Sequence, residues 1–203
     1  MFDSFPGGHY EFLERERYHE DFRHQLRSGI RHLEKLERGQ HFREQGFPSW
    51  EAFAAGDWER SLMLIEKKRD IYKQQLQDTA DSNITNRRLR VVEIPVTPYV
   101  QWELHVLRLR VELGDQIRVL DAASIKDIEL NRTVPEIVIL GDSVMYEVRY
   151  DQDGSPAGAN RYTDLDLIEE TLDGFDTLYD RGEAFKDFFD REISPLTPPL
   201  VDR

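Results

Sequence analysis

The stretch Arg90–Leu120, RVVEIPVTPYVQWELHVLRLRVELGDQIRVL, constrains the fold more than any other part of the chain. Leu89–Ile94 is rich in β-branched residues and is closed by Pro95, which reads as a strand. Thr97 then serves as a helix N-cap, with Pro98 at the first helical position, where a missing N–H costs nothing. The helix runs to about Leu113 and Gly114 stops it. Ile117–Leu120 is the next strand. A strand–helix–strand unit of this length implies a parallel crossover. Val100, Leu104, Leu107 and Val111 form one apolar row on the helix, and Tyr99, Trp102, Val106 and Leu109 form another. So wide an apolar surface predicts a helix held between a sheet and further helices.

The flanking segments fill out the architecture. Phe12, Leu13, Phe22, Leu26, Ile30, Leu33 and Leu36 are spaced roughly as one helical stripe, so residues 10–45 are expected to be helical, with Gly29 as a candidate interruption and Gly39 as a candidate end. Ser49 is read as the cap of a short helix, and Asp57 as the cap of a longer one through Gln77. Residues 78–86 read as a polar linker. EIVIL, GDS and VMYEVRY read as a β-hairpin, with DQDGSPAG as the turn beyond it. Residues 164–190 return to helix, and SPLTPPLVDR is a Pro-rich tail. The expected fold class is α/β (α+β): a small mixed sheet with a strand–helix–strand unit and a hairpin, flanked by helices. A helical N-terminal region spans residues 1–85, and residues 86–203 form the α/β domain with its acidic C-terminal helix.

Composition narrows the function classes. The 203 residues include no cysteine, which excludes thiolate catalysis, disulfide scaffolds and Cys-ligated zinc. The net charge is −13, and residues 151–203, with 14 acidic and 5 basic side chains, supply −9 of it. Such a chain repels nucleic acid and anionic membranes overall. No apolar run approaches the roughly 20 residues that span a bilayer. The first residues lack the basic-then-apolar order of a signal peptide. A cytoplasmic location is the expectation.

The candidate ligand site is the end of the first strand of the central unit and the start of its helix: Arg88, Arg90, Thr97 and Tyr99. Ligands of parallel α/β units bind beyond the C-terminal ends of strands, and a helix N-terminus favours an anion there. The plain alternative is an ordinary capped turn, since Pro98 removes one N–H and no glycine-rich loop is present. Trp102 and Glu103 on the helix, Arg118 on the next strand and Asp142 in the hairpin turn complete the candidate set. Asp142 sits in a GDS turn, where aspartate is favoured for backbone hydrogen bonding alone. Five of the six histidines lie in the first 41 residues, but no HExxH or carboxylate-rich ligand set accompanies them. No metal or cofactor is expected. The run NRRLR, near Lys67, Lys68, Arg69 and Lys73, reads as a solvated charged face. A serine-hydrolase reading fails because GxSxG is absent. No catalytic residue is assigned.

The segment Arg88–Leu120 resembles an uncharacterised family of small proteins found in streptomycetes and other actinobacteria. Arg90, Val91, Val92, Pro95, Tyr99, Trp102, Glu103, Gly114, Asp115, Ile117 and Arg118 fall on its pattern. Upstream, Arg31, Leu33 and Glu34 match its N-terminal segment; downstream, Asp142, Tyr150, Asp151 and Gly154 match its hairpin and turn, whereas Gly141 and Ile137-Val138 do not. The similarity covers roughly residues 20–190. Members are often encoded beside helix-turn-helix regulators, which implies regulation rather than housekeeping catalysis. The second half also resembles phospholipase-D-like sensor domains. The H-x-K-x4-D signature of the active enzymes is missing, with Leu107 where the lysine would stand.

The favoured expectation is therefore a non-catalytic regulatory or interaction protein with a protein partner, such as a transcription regulator, with a homodimer left open. The alternative is a binding protein or enzyme for a phosphate-bearing small molecule or nucleotide in the cleft after the first strand. Arg90 converging with Tyr99, Glu103 and Arg118 on a deep pocket would favour the alternative. Flat, solvated surroundings would favour the interaction protein.

Overall fold

Alternating and β-branched segments from both halves of the chain meet in one mixed sheet. The computed structural model describes residues 9–200, so the readings of the extreme N-terminus and of the last residues of the Pro-rich tail fall partly outside the described residues. The strands are β1 (Glu11–Glu14), β2 (His32–Glu37), β3 (Thr85–Val92), β4 (Gln116–Asp121), β5 (Ile137–Leu140), β6 (Val144–Tyr150), β7 (Pro156–Tyr162) and β8 (Glu183–Ala184). Their order is β1-β7-β6-β5-β2-β3-β4-β8. The central β2, β3 and β4 run parallel, and the remaining pairings are antiparallel. The helices are α1 (Arg15–Leu26), α2 (Pro48–Ala54), α3 (Trp58–Glu66), α4 (Arg69–Asp81), α5 (Pro98–Glu112), α6 (Leu165–Arg181) and α7 (Phe185–Phe188).

The period of two along β3 separates the two faces. Leu89 and Val91 join Leu36, Ile137, Ile139 and Met145 against Ile168, Phe175 and Leu178 of α6. Val92, with Ile117 and Val119 of β4, packs on the other face against Val100, Leu104 and Leu107 of α5, and Phe53, Ile65, Phe185 and Phe188 close that layer. Farther along the sheet, Tyr18, Phe22 and Leu26 of α1 cover Leu33, Val138, Leu140 and Tyr146. The central unit matches the sequence reading: Thr97 accepts from the Val100 N–H at 3.1 Å, Pro98 opens α5, and β3 pairs with β4 in parallel. The GDS hairpin is β5–β6. The chain is of the mixed α/β class, as expected.

Several local expectations are corrected. Residues 10–45 are not one helix. β1 precedes α1, Gly29 turns the chain at φ +83°, and β2 follows as a central strand. The apolar spacing fits a helix, but HLEKLE alternates too, and its partners on β3 and β5 decide the outcome. The expected helical region thus gives two strands to the same sheet as residues 86–203. Ser49 is not a cap; Phe47 holds that position with Pro48 at N1, and the Ser49 hydroxyl is buried without a hydrogen-bond partner. The helix opened by Asp57 breaks at Lys67–Lys68 into α3 and α4. The polar linker shrinks to residues 82–84, and DQDGSPAG runs directly into β7. Residues 164–190 divide into α6, the short β8 and α7.

Candidate functional site

Four of the predicted site residues, Arg88, Tyr99, Trp102 and Glu103, come together in one pocket of about 200 Å³ on the α5 face of the sheet. Arg88 rises from β3 and donates to Glu37 of β2 at 3.1 Å. Tyr99 donates its hydroxyl to Glu44 at 3.2 Å. Burial pushes the Glu44 carboxyl above its ordinary range, and the Tyr99 hydrogen bond only partly opposes that. Trp102 stacks on Phe53 with centroids 5.9 Å apart, and its indole N–H is buried with no hydrogen-bond partner. Three carboxylates, Glu37, Glu44 and Glu103, line the space. They make it a poor receptor for a phosphate.

Arg90 does not line this pocket; it is fully buried and pairs with the lining residue Glu103. Its Nε donates to Glu103 at 2.7 Å, and its terminal nitrogens donate to the carbonyls of Val91 at 2.8 Å, Gly39 at 2.6 Å and Glu37 at 3.3 Å. This guanidinium ties β3, α5 and the chain leaving β2 into one unit. Thr97 does similar work, donating its hydroxyl to the Gln40 carbonyl at 2.6 Å.

Two predicted residues lie elsewhere. Arg118 points to the opposite face, over the Tyr179 ring at 5.0 Å, and donates to the Tyr179 carbonyl at 3.1 Å. Asp142 is exposed in the β5–β6 turn and meets His32 Nε2 at 2.8 Å. His105 sits edge-on to Trp58 and Phe189, and Asp115 accepts from Arg110 at 2.7 Å and Asn86 at 2.8 Å. The basic run is internally paired, with Arg87 on Glu34 and Asp176 and Arg88 on Glu37.

A larger cleft of about 560 Å³ lies where β2 ends and β5 begins, with Arg38, Gln40, Glu93, Glu136, Arg149 and Tyr150 among its walls. Glu136 Oε1 accepts the backbone N–H groups of Arg38, at 2.6 Å, and of Gly39. Burial pushes the Glu136 carboxyl up to about 7, against the opposing pull of Arg90 and of those N–H donors. Arg38 is held by Glu129 at 2.7 and 2.9 Å and by Glu93 at 2.8 Å. Tyr150 stacks on Phe42 at 4.3 Å. Sequence reasoning missed this cleft because its residues are scattered from Arg38 to Tyr150. The available signal was Glu136 itself, a carboxylate abutting the apolar run IVIL.

The family model for the domain of unknown function DUF6879 matches residues 20–190. The chain belongs to that family. No curated protein matches the DUF6879 chain. Among solved structures, it is similar to the phospholipase D family member Nuc from Salmonella typhimurium, with a TM-score of 0.46 and 6% identity over 79% of this chain and 86% of that one. This is a distant structural resemblance. No helix among the described residues of the DUF6879 chain is long and apolar enough to cross a membrane.

Proposed function

We propose that the chain is a non-catalytic regulatory protein of the actinobacterial cytoplasm that acts by binding a protein partner with a basic surface, such as a transcription regulator. The observation that carries this reading is the outer face of α6. Asp166, Glu169, Glu170, Asp173, Asp176 and Asp180 are all exposed and follow one another at helical spacing, while Leu167, Ile168, Phe175 and Leu178 hold the opposite side in the core. The result is a rigid acidic ridge of more than four turns. Such a ridge steers a basic partner into place and fixes its orientation. The arginines that the phosphate-binding alternative required support this reading indirectly, because Arg90 and Arg118 are engaged inside the fold.

The test is affinity purification from the native host with the full chain and with the triple variant Glu169→Gln, Asp173→Asn, Asp180→Asn. A basic protein should be retained by the parent, released by raised salt and absent from the variant. Equal retention by both would remove the ridge from the account. Recovery of a bare homodimer would place the contact between copies of this chain instead.

A further inference from the structure

The pocket on the α5 face of the sheet holds a carboxylate that the fold leaves without a counter-ion. The other charged residues lining it are matched: Arg88 with Glu37 at 3.1 Å, Glu103 with Arg90 at 2.7 Å and Arg110 with Asp115 at 2.7 Å. Glu44 lines the same space and makes no ion pair among the described residues. Its Oε1 accepts the Tyr99 hydroxyl at 3.2 Å, and its Oε2 has no hydrogen-bond partner among those residues. Burial, with Glu37 adding to it, outweighs the pull of Tyr99, Arg15 and Arg88 and holds this carboxyl above its usual range. Trp102, in the wall, is 3% exposed, and its indole N–H has no acceptor among the described residues. An unmet buried donor costs stability, so packing alone does not account for this wall.

We infer that this pocket binds a small organic cation, an alkylammonium whose charged head meets Glu44 and whose carbons lie against the rings of Tyr99 and Trp102. The rings are contiguous with the carboxylate. The Tyr99 hydroxyl touches it, the Tyr99 and Trp102 centroids are 5.6 Å apart, and Phe47 stands 6.0 Å from Trp102. Aromatic faces attract cations. Two rings of this pocket already carry cations of the chain, Lys68 over Phe47 at 5.6 Å and Arg110 over Tyr72 at 5.1 Å. An anion would instead meet Glu37, Glu44 and Glu103. A metal ion is not matched either, because no three acidic or imidazole side chains among the described residues converge to hold one. At about 200 Å³ the space lies below the range of drug-sized sites and suits a compact ammonium. The site is independent of the α6 ridge, since α6 packs on the other face of the sheet.

Titration of the full chain by calorimetry and NMR tests the site, with butylammonium, choline and Nα-acetyl-lysinamide as probes. Each is run beside a neutral counterpart: 1-butanol, 3,3-dimethyl-1-butanol and the Nε-acetylated lysinamide. At least one cation should saturate, with its neutral counterpart at least about tenfold weaker. Its protons should show Overhauser contacts to the Tyr99 and Trp102 rings. Preference for the lysinamide assigns the ammonium to a lysine side chain of a partner, and preference for the free amines assigns it to a small metabolite; both keep the cation site. Glu44→Gln should weaken binding at least about tenfold. The comparison of cation with neutral counterpart is made on the parent and decides the matter even if that variant is unstable. Absence of saturation by any of these cations up to about 10 mM overturns the inference. So does equal binding of the neutral counterparts, contact with other rings only, or a folded Glu44→Gln protein that binds like the parent.

Discussion

Arg90 and Glu103 form a buried ion pair at 2.7 Å that joins the third strand to the helix following it. Removing Glu103 leaves the buried Arg90 guanidinium without its hydrogen-bonded carboxylate, with only the charges of Glu136 and Glu37 to offset it. Glu103→Ala is expected to cost about 3–5 kcal/mol of unfolding free energy, the range for a broken buried pair. Urea unfolding followed by circular dichroism checks this, and a loss under about 1 kcal/mol would show that another carboxylate compensates.

His32 bridges two acids, with Nδ1 at 2.7 Å from Glu34 and Nε2 at 2.8 Å from Asp142. Burial alone would pull the imidazole down. The hydrogen bonds to Glu34 and Asp142, with their charges, outweigh it and raise its pKa. A group raised on folding stabilises fully below its unfolded value of about 6.5, and that contribution fades as pH climbs through the higher folded value. The stability difference between the parent and His32→Gln should therefore shrink from about pH 6 toward alkaline pH. A difference that stays flat would refute the bridge.

His105 has the opposite sign. Burial and the nearby Arg108 push it down to about 4, and its Nδ1 has no partner. A group lowered on folding leaves stability intact above the unfolded value of about 6.5, and stability then falls as acid approaches the folded one. His105→Phe should flatten this acid limb and raise stability at neutral pH by about 1–2 kcal/mol, since an unsatisfied polar atom is removed between two aromatic rings. Thermal unfolding between about pH 4 and 8 distinguishes the two histidines.

Gly158 sits at φ +149° where β7 meets β1, and a Cβ there would strike the Leu13 carbonyl. Gly158→Ala should detach β1, at a cost of about 1–3 kcal/mol. Faster amide exchange confined to Glu11–Glu14 and its β7 partners is the expected signature. Unchanged protection would mean that the strands shift together.

Legibility in the sequence followed the physics of each segment. The β3–α5–β4 unit was readable because Thr97, Pro98 and Gly114 act locally, through caps and backbone conformation, and do not depend on distant partners. β2 was not. Its Glu34 is fully buried because Arg87 of β3 meets it beside the adjacent His32, and no local window contains that arginine. The candidate site divided in the same way. Arg88, Tyr99, Trp102 and Glu103 were close in sequence and stayed close in space. Arg118 was separated from them by strand alternation, and Glu136 gained its character from amides almost a hundred residues upstream.

The charged central strand also decides which pairings are forbidden. In the observed alignment Glu34 faces Arg87, Lys35 lies beside Arg88 and Glu37 beside Arg90. Sliding β2 by a single residue would turn Glu34 toward α1 and drive Lys35 into the dry layer under α6. An apolar strand tolerates such slippage at modest cost, and that tolerance is what lets exposed segments of neighbouring molecules zip together. Here the charges act as teeth that mesh in one position only, so β2 is a poor template for any strand but its own.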